Sequence, residues 1–166
     1  MKKALLTMLL LILSACASVS SSDYIAHVDG NLWRGSRQSD LSQLLQFDKI
    51  LNLEEQNEFV EAEKQYAEAH GLIFHHYPLS ESPFIRPGSE TLRNIVADII
   101  SDPGVKTFIH CRRGKDRTGF AVAEYRTRVN GWEIDAAYDE AVEYGHASLY
   151  YAFWKPVLFK AKKGGI

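Results

Sequence analysis

The sequence predicts an α/β fold, a central and mostly parallel sheet flanked by helices. Three observations predict it. Short apolar runs of strand length (Lys49 to Leu53, Leu72 to Tyr77, Val105 to Ile109) alternate with segments whose apolar residues recur at helical spacing. The composition is that of one globular domain, with 166 residues, 46% hydrophobic and 24% charged, which excludes a disordered or fibrous chain. The last strand candidate runs into a glycine- and cation-containing loop and then a helix, and folds of this class bind ligands at such strand ends.

The elements follow in order. Asn31 to Gly35 reads as a short edge strand followed by a turn. Asp40 caps a helix over Leu41 to Gln46. Lys49 to Leu53 is a short buried strand. Glu58 to His70 is an amphipathic helix with Phe59, Ala62, Tyr66 and Ala69 on its apolar face and Gly71 as its stop. Leu72 to Tyr77 is a strand ended by Pro78, and residues 79–88 form a loop. A helix starting at Ser89 or Thr91 runs to Ile100, with Leu92, Ile95, Val96 and Ile99 as its stripe. After the turn at 101–104 come the strand Val105 to Ile109, a helix over Thr118 to Val129 stopped by Gly131, and helices over Ile134 to Tyr144 and Tyr150 to Lys162. Pro156 kinks the last one or marks its first turn.

A net charge of -2 and a pI near 6.3 provide no global basic field, so no nucleic-acid partner is expected. The N-terminus is an address rather than part of the fold. Met1-Lys2-Lys3 precedes an apolar run from Ala4 to Leu13, too short to span a bilayer and of signal-peptide length. The run ends in Leu13-Ser14-Ala15-Cys16, which resembles the bacterial lipobox. The resemblance implies a leader over residues 1–15, a lipid on Cys16, a tether over 16–23 and one domain over 24–166. It also implies a lipid-anchored location in the bacterial envelope. In a Gram-negative cell the absence of Asp after Cys16 points to the periplasmic face of the outer membrane. The second of the two cysteines, Cys111, then has no intramolecular partner, so it is either buried and inert or functional.

Its neighbours favour function. In His110-Cys111-Arg112-Arg113-Gly114-Lys115-Asp116-Arg117-Thr118-Gly119, the loop's backbone N–H groups form a nest for an anion, and the following helix N-terminus adds donors and positive dipole. Gly114 permits a backbone angle that side chains resist. Arg117 presents a planar fork suited to phosphate. The same field favours the thiolate of Cys111, the nucleophilic form. Cys111 is thus the candidate nucleophile. Arg112, Arg113, Gly114, Lys115, Asp116, Arg117 and Thr118 are the candidate phosphate-binding set. His110 supports the loop, and Thr118 is placed to donate to the departing sulfur.

The string His110-Cys111, five residues, then Arg117-Thr118 resembles the signature of the protein tyrosine phosphatase superfamily. Gly114 to Gly119 resembles its bacterial tyrosine and dual-specificity branch and the atypical dual-specificity enzymes of fungi and plants. The resemblance spans roughly residues 24 to 145, and the ten-residue loop is its diagnostic part. It implies the phosphatase fold, a two-step reaction through a phosphocysteine, and no metal or cofactor. The expected substrate is a phosphorylated protein or a small phosphate ester such as an inositol phosphate. A rhodanese-type sulfurtransferase and a non-enzymatic phosphate binder are rival readings of such a loop. Walker A chemistry is excluded, because Phe120 stands where lysine is required.

The proton donor is less plainly written. The superfamily's usual upstream Asp is missing from Tyr77 to Pro83, where Glu81 is the only acid. Asp116 is the expected donor, as the resemblance to some bacterial relatives with the same Lys-Asp-Arg-Thr-Gly string implies; Glu81 is the first alternative, and Asp48 or a more distant group the remaining one. Elsewhere, His75 and His76 point to opposite strand faces and do not suit one metal ion. Trp33-Arg34-Gly35 reads as a packed edge aromatic, with a border of the active site as the alternative; the aromatic C-terminus (Tyr144 to Phe159) reads as a helix packed on the core, with a membrane-facing or substrate-facing surface as the alternative; and Glu54, Glu55 and Glu58 read as a solvated helix start.

Overall fold

A computed structural model of the protein describes residues 23–147, 149–150 and 152–156. The expected leader, Cys16, Tyr151 and Phe159 lie outside the described residues. The sheet contains β1 (Ile25–Asp29), β2 (Leu32–Ser36), β3 (Lys49–Asn52), β4 (Ile73–His76) and β5 (Thr107–Cys111), in the order β1-β2-β5-β3-β4. Among the described residues only the β1–β2 pair is antiparallel; β2–β5, β5–β3 and β3–β4 are parallel. The α/β expectation therefore holds, and β5, which leads to the cysteine loop, lies at the centre of the sheet.

One expectation is corrected here. The strand over Leu32–Ser36 is not an edge, because β1 folds back on it through Gly30 and Asn31, with Gly30 at φ 48°. Residues Ile25–Asp29 are only half-buried, so they lack the continuous apolar run that marks the inner strands.

Side-chain alternation along the strands divides the core in two. Ile50 and Phe108 face one side with Leu44 and Phe47, where a 3-10 helix (Leu41–Gln46, capped by Asp40) and α1 (Glu58–Ala69) lie. Leu51 and Ile109 face the other side, packed with α2 (Ser89–Ile100), α3 (Asp116–Arg128) and α4 (Ile134–Glu143). The stripe expected for α2 is the buried one. That of α1 is displaced by one residue. Val60, Glu63 and Ala67 are buried, whereas Phe59 is 51% exposed and lies under the Arg37 guanidinium at 3.9 Å. Residues 149–150 and 152–156 are helical. Trp154 is fully buried with its ring 5.0 Å from that of Phe120, as expected of a C-terminus packed on the core.

A polar cluster around the buried Lys49 joins the sheet to α2. Lys49 Nζ donates to Asp98 Oδ1 (2.9 Å) and to the Asp98 carbonyl (2.6 Å). His75 Nδ1 and Tyr77 Oη meet the other carboxylate oxygen at 2.6 and 2.8 Å. His76 instead meets the Glu54 carbonyl. Burial pushes the Asp98 carboxyl up, but the bonds from Lys49, His75 and Tyr77 outweigh it and hold the group below the usual carboxylate range. Burial, then Asp98, push the Tyr77 phenol up to about 12. Because the folded Asp98 titrates below its unfolded value, its stabilisation is full above about pH 4 and is lost as pH falls through the folded value. Asp98→Asn removes the counter-charge of the buried Lys49 ammonium, leaving it only its neutral partners. It is expected to cost about 3 kcal/mol at neutral pH, with a smaller difference from wild type in strong acid, as read by urea unfolding at both pH values.

Candidate active site

β5 delivers Cys111 at its carboxyl end, paired with Ser36 on β2, while His110 pairs with Gly35 on β2 and Asn52 on β3. The flanking backbone fixes the exit from the strand. Arg37 N donates to the Cys111 carbonyl and Leu53 N to the His110 carbonyl, each at 2.9 Å. Cys111 is buried and, among the described residues, forms no disulfide.

The loop turns at Gly114, which has φ 68°. A Cβ there would stand 2.3 Å from the Gly35 carbonyl oxygen and 2.6 Å from Tyr24 Oη, so glycine is required both for its backbone angle and for its lack of a side chain. The Gly114 carbonyl accepts from Tyr24 Oη at 2.6 Å and from Arg34 Nη2 at 3.1 Å. Arg34 is 1% exposed, and its guanidinium lies 4.0 Å from the Tyr144 ring centroid. Arg34 fits the reading of Trp33-Arg34-Gly35 as a segment bordering the site, whereas Tyr24 carries no local signal in the sequence.

Helix α3 begins at Asp116, two residues earlier than the sequence predicts, and no side chain caps its N-terminus. Its first-turn N–H groups thus remain for an anion. Asp116 belongs to this first helical turn rather than to the loop. Its Oδ1 accepts from Ala147 N at 2.9 Å and stands 3.8 Å from His146 Nδ1. Burial pushes the His146 imidazole down, against the raising effect of Asp116, so this neighbour is neutral at pH 7.

Arg117 is 5% exposed. Its Nη2 lies 2.7 Å from Glu81 Oε1 and its Nη1 donates to the Leu79 carbonyl at 3.4 Å. Loop 79–88 is in turn held by the C-terminal residues, through Tyr150 Oη to the Glu81 carbonyl (2.6 Å) and Trp154 Nε1 to the Pro83 carbonyl (2.9 Å). Burial raises the Tyr150 phenol, and Asp116 adds to the rise while Arg113 and Arg117 oppose it. Tyr150 therefore stands where both candidate acids and both cations act on it. The Thr118 hydroxyl is fully buried and has no hydrogen-bond partner among the described residues. Arg112, Arg113 and Lys115 are exposed.

A cavity of about 460 Å³ opens beside the loop, between Glu81 and Arg112 on one side and Arg37, Glu54 and Phe59 on the other. A second, of about 260 Å³, lies at the opposite ends of the strands, against Asn31 and Thr107, away from this chemistry. Glu54, expected on a solvated surface, is 2% exposed. Its N–H donates to Asn52 Oδ1, and its carboxylate meets Arg37 Nη1 at 3.3 Å.

A family model described as the tyrosine phosphatase family matches residues 21–152. The chain belongs to that family. Among solved structures, its fold is similar to Tk-PTP in its active form, with a TM-score of 0.71, 20% identity, and coverage of 84% of this chain and 97% of the other. It is also similar to the core catalytic domain of the PP-IP phosphatase SIW14 from S. cerevisiae, with a TM-score of 0.65, 25% identity, and coverage of 84% and 91%. A curated relative, the inositol diphosphatase DSP1 of Oryza sativa subsp. japonica, is 30% identical over 87 residues, 49% of this chain. The match spans 37% of that relative's length. The tyrosine and dual-specificity phosphatase fold expected from the cysteine loop is thereby established for the chain.

Proposed function

We propose that the protein hydrolyses phosphate monoesters through a phosphocysteine on Cys111, as a protein tyrosine or dual-specificity phosphatase. The observation that carries the proposal is a buried, unpaired Cys111 at the end of the central strand, followed by a glycine-turned loop and an uncapped helix N-terminus bearing Arg117. An incoming phosphate dianion takes the Arg117 fork, displacing Glu81, and sits on the N–H groups of the loop and of α3. The Cys111 thiolate attacks phosphorus, the P–O ester bond breaks, and the leaving oxygen takes a proton. Water then attacks the phosphocysteine, the P–S bond breaks, and phosphate leaves as the thiolate returns, stabilised by the Thr118 hydroxyl. The acid of the first step accepts the water's proton in the second.

We assign that proton to Asp116. Its carboxylate is held in place by Ala147 beside a neutral His146. Glu81 is instead engaged by the Arg117 fork in the resting site, the fork that the incoming phosphate must take from it. His110 supports the loop, and Arg112, Arg113 and Lys115 read further charge on the substrate. A second substrate class has specific support. The two inositol-directed relatives, together with the three exposed cations, favour an inositol diphosphate. The Ala4 to Cys16 segment supports a lipid on Cys16 and a place in the bacterial envelope, with residues 16–23 as tether to the domain over 24–166.

The test is turnover of p-nitrophenyl phosphate followed by a panel of phosphotyrosine and phosphoserine peptides and inositol pyrophosphates. Vanadate-sensitive, chelator-insensitive turnover that vanishes in Cys111→Ser supports the proposal. Turnover that persists in that variant refutes it. Preference within the panel decides between the two substrate classes.

A further inference from the structure

The strand beside β5 carries a charge into the core. Arg34 stands in the middle of β2 and is buried. It pairs with Ile109, two residues before Ser36 pairs with Cys111, so alternation turns its side chain to the same sheet face as Cys111. The guanidinium is closed in by the Tyr144 ring and by the start of α3, where a Cβ on Gly119 would stand 3.5 Å from Nη2. Arg37, Arg117, Arg126 and Arg128 each meet a carboxylate. Among the described residues Arg34 meets none, and its Nε and Nη1 have no hydrogen-bond partner. A guanidinium keeps its charge inside a protein, and a buried charge without a counter-charge is costly. A methionine would fill similar space without that cost.

The bond from Nη2 to the Gly114 carbonyl locates the effect of the charge. That carbonyl and the Lys115 N–H belong to one planar trans peptide and point opposite ways. Drawing the carbonyl toward Arg34 and Tyr24 turns the N–H to the other side of the loop. Tyr24 Oη already supplies the carbonyl with a bond of 2.6 Å, so the distinctive contribution of Arg34 is its charge.

We propose that Arg34 is a positioning residue whose counter-ion is the phosphate bound in the loop. It acts through the Gly114–Lys115 peptide and through its field, without touching the substrate. The unliganded protein bears the cost of the unpaired charge, and the arriving dianion relieves it. The inference rests on the reading of the loop as a phosphate site, and not on turnover.

The test compares wild type, Arg34→Met and Arg34→Lys by thermal unfolding with and without inorganic phosphate, and by calorimetric titration with phosphate. Without phosphate, Arg34→Met is expected to melt no lower than wild type, because Tyr24 still holds the carbonyl. It is expected to bind phosphate about tenfold more weakly, so phosphate raises its melting temperature less. Arg34→Lys keeps the charge and is expected to keep most of the affinity. Unchanged phosphate affinity in Arg34→Met overturns the proposal. So does an equal loss of affinity in both variants, which marks the shape of the side chain and not its charge. Failure of both variants to fold also overturns it, since Arg34 is then a structural support. The two readings fail separately. If the affinities behave as expected while wild type hydrolyses no phosphate ester, the positioning role stands and the phosphatase reading falls. If wild type hydrolyses esters while Arg34→Met binds phosphate as wild type does, the reverse holds.

Discussion

Arg117→Lys is expected to lower kcat by about 10²–10³-fold on p-nitrophenyl phosphate with little change in thermal stability. The guanidinium reaches from α3 to Leu79 and Glu81 with two separate nitrogens, and the same fork spans two oxygens of a phosphate as charge moves through the transition state. A lysine keeps the charge but presents a single ammonium on a flexible stem, so it loses the bidentate geometry rather than the attraction. The effect should therefore fall mainly on kcat. Steady-state kinetics beside a melting curve check this. A large rise in KM with kcat intact would mean that Arg117 binds the ground state only.

Asp116→Asn is expected to reduce kcat by about 10²–10⁴-fold for alkyl phosphates, whose leaving groups need a proton. It should cost far less for p-nitrophenyl phosphate, whose phenolate leaves unaided. The amide can no longer give a proton, and the Ala147 N–H still finds an oxygen, so the anchoring contact survives. Glu81→Gln should behave differently. It loosens the hold on Arg117, lowering KM because phosphate no longer displaces a carboxylate, and it leaves the leaving-group dependence as in wild type. If the steep dependence appears in the Glu81 variant and not in the Asp116 variant, the two assignments exchange.

These expectations draw on features that differ in how openly the sequence displays them. The strand–loop–helix around Cys111 was legible because each position has a separate physical demand, a thiol at a strand end, a glycine at φ 68°, and a guanidinium on the first helical turn. β3, β4, β5 and α2 were legible from apolar runs and spacing. β1 was not, because it is half-buried at the sheet edge and its pairing depends on the turn at Gly30. The face of α1 is displaced because spacing favours Phe59 and Tyr66, whereas Val60, Glu63 and Ala67 are the residues that pack inward, with Glu63 beside His110. Glu54 reads as a solvated acid in the sequence because its burial depends on Arg37 and Asn52, residues brought to it only by the fold. Tyr24 and Tyr150 reach the site across the chain, from 90 and 69 residues away. No local pattern announces such contacts.

The central claim is that Cys111 itself carries the phosphoryl group between the two steps. Acid quenching of the enzyme during turnover of p-nitrophenyl phosphate, followed by peptide mass spectrometry, tests it most directly. The expected result is one added phosphoryl group on the peptide containing Cys111, increased in Asp116→Asn if that residue also activates the water, and absent in Cys111→Ser. Turnover with no phosphoryl group on Cys111, or with the label on another residue, would contradict it.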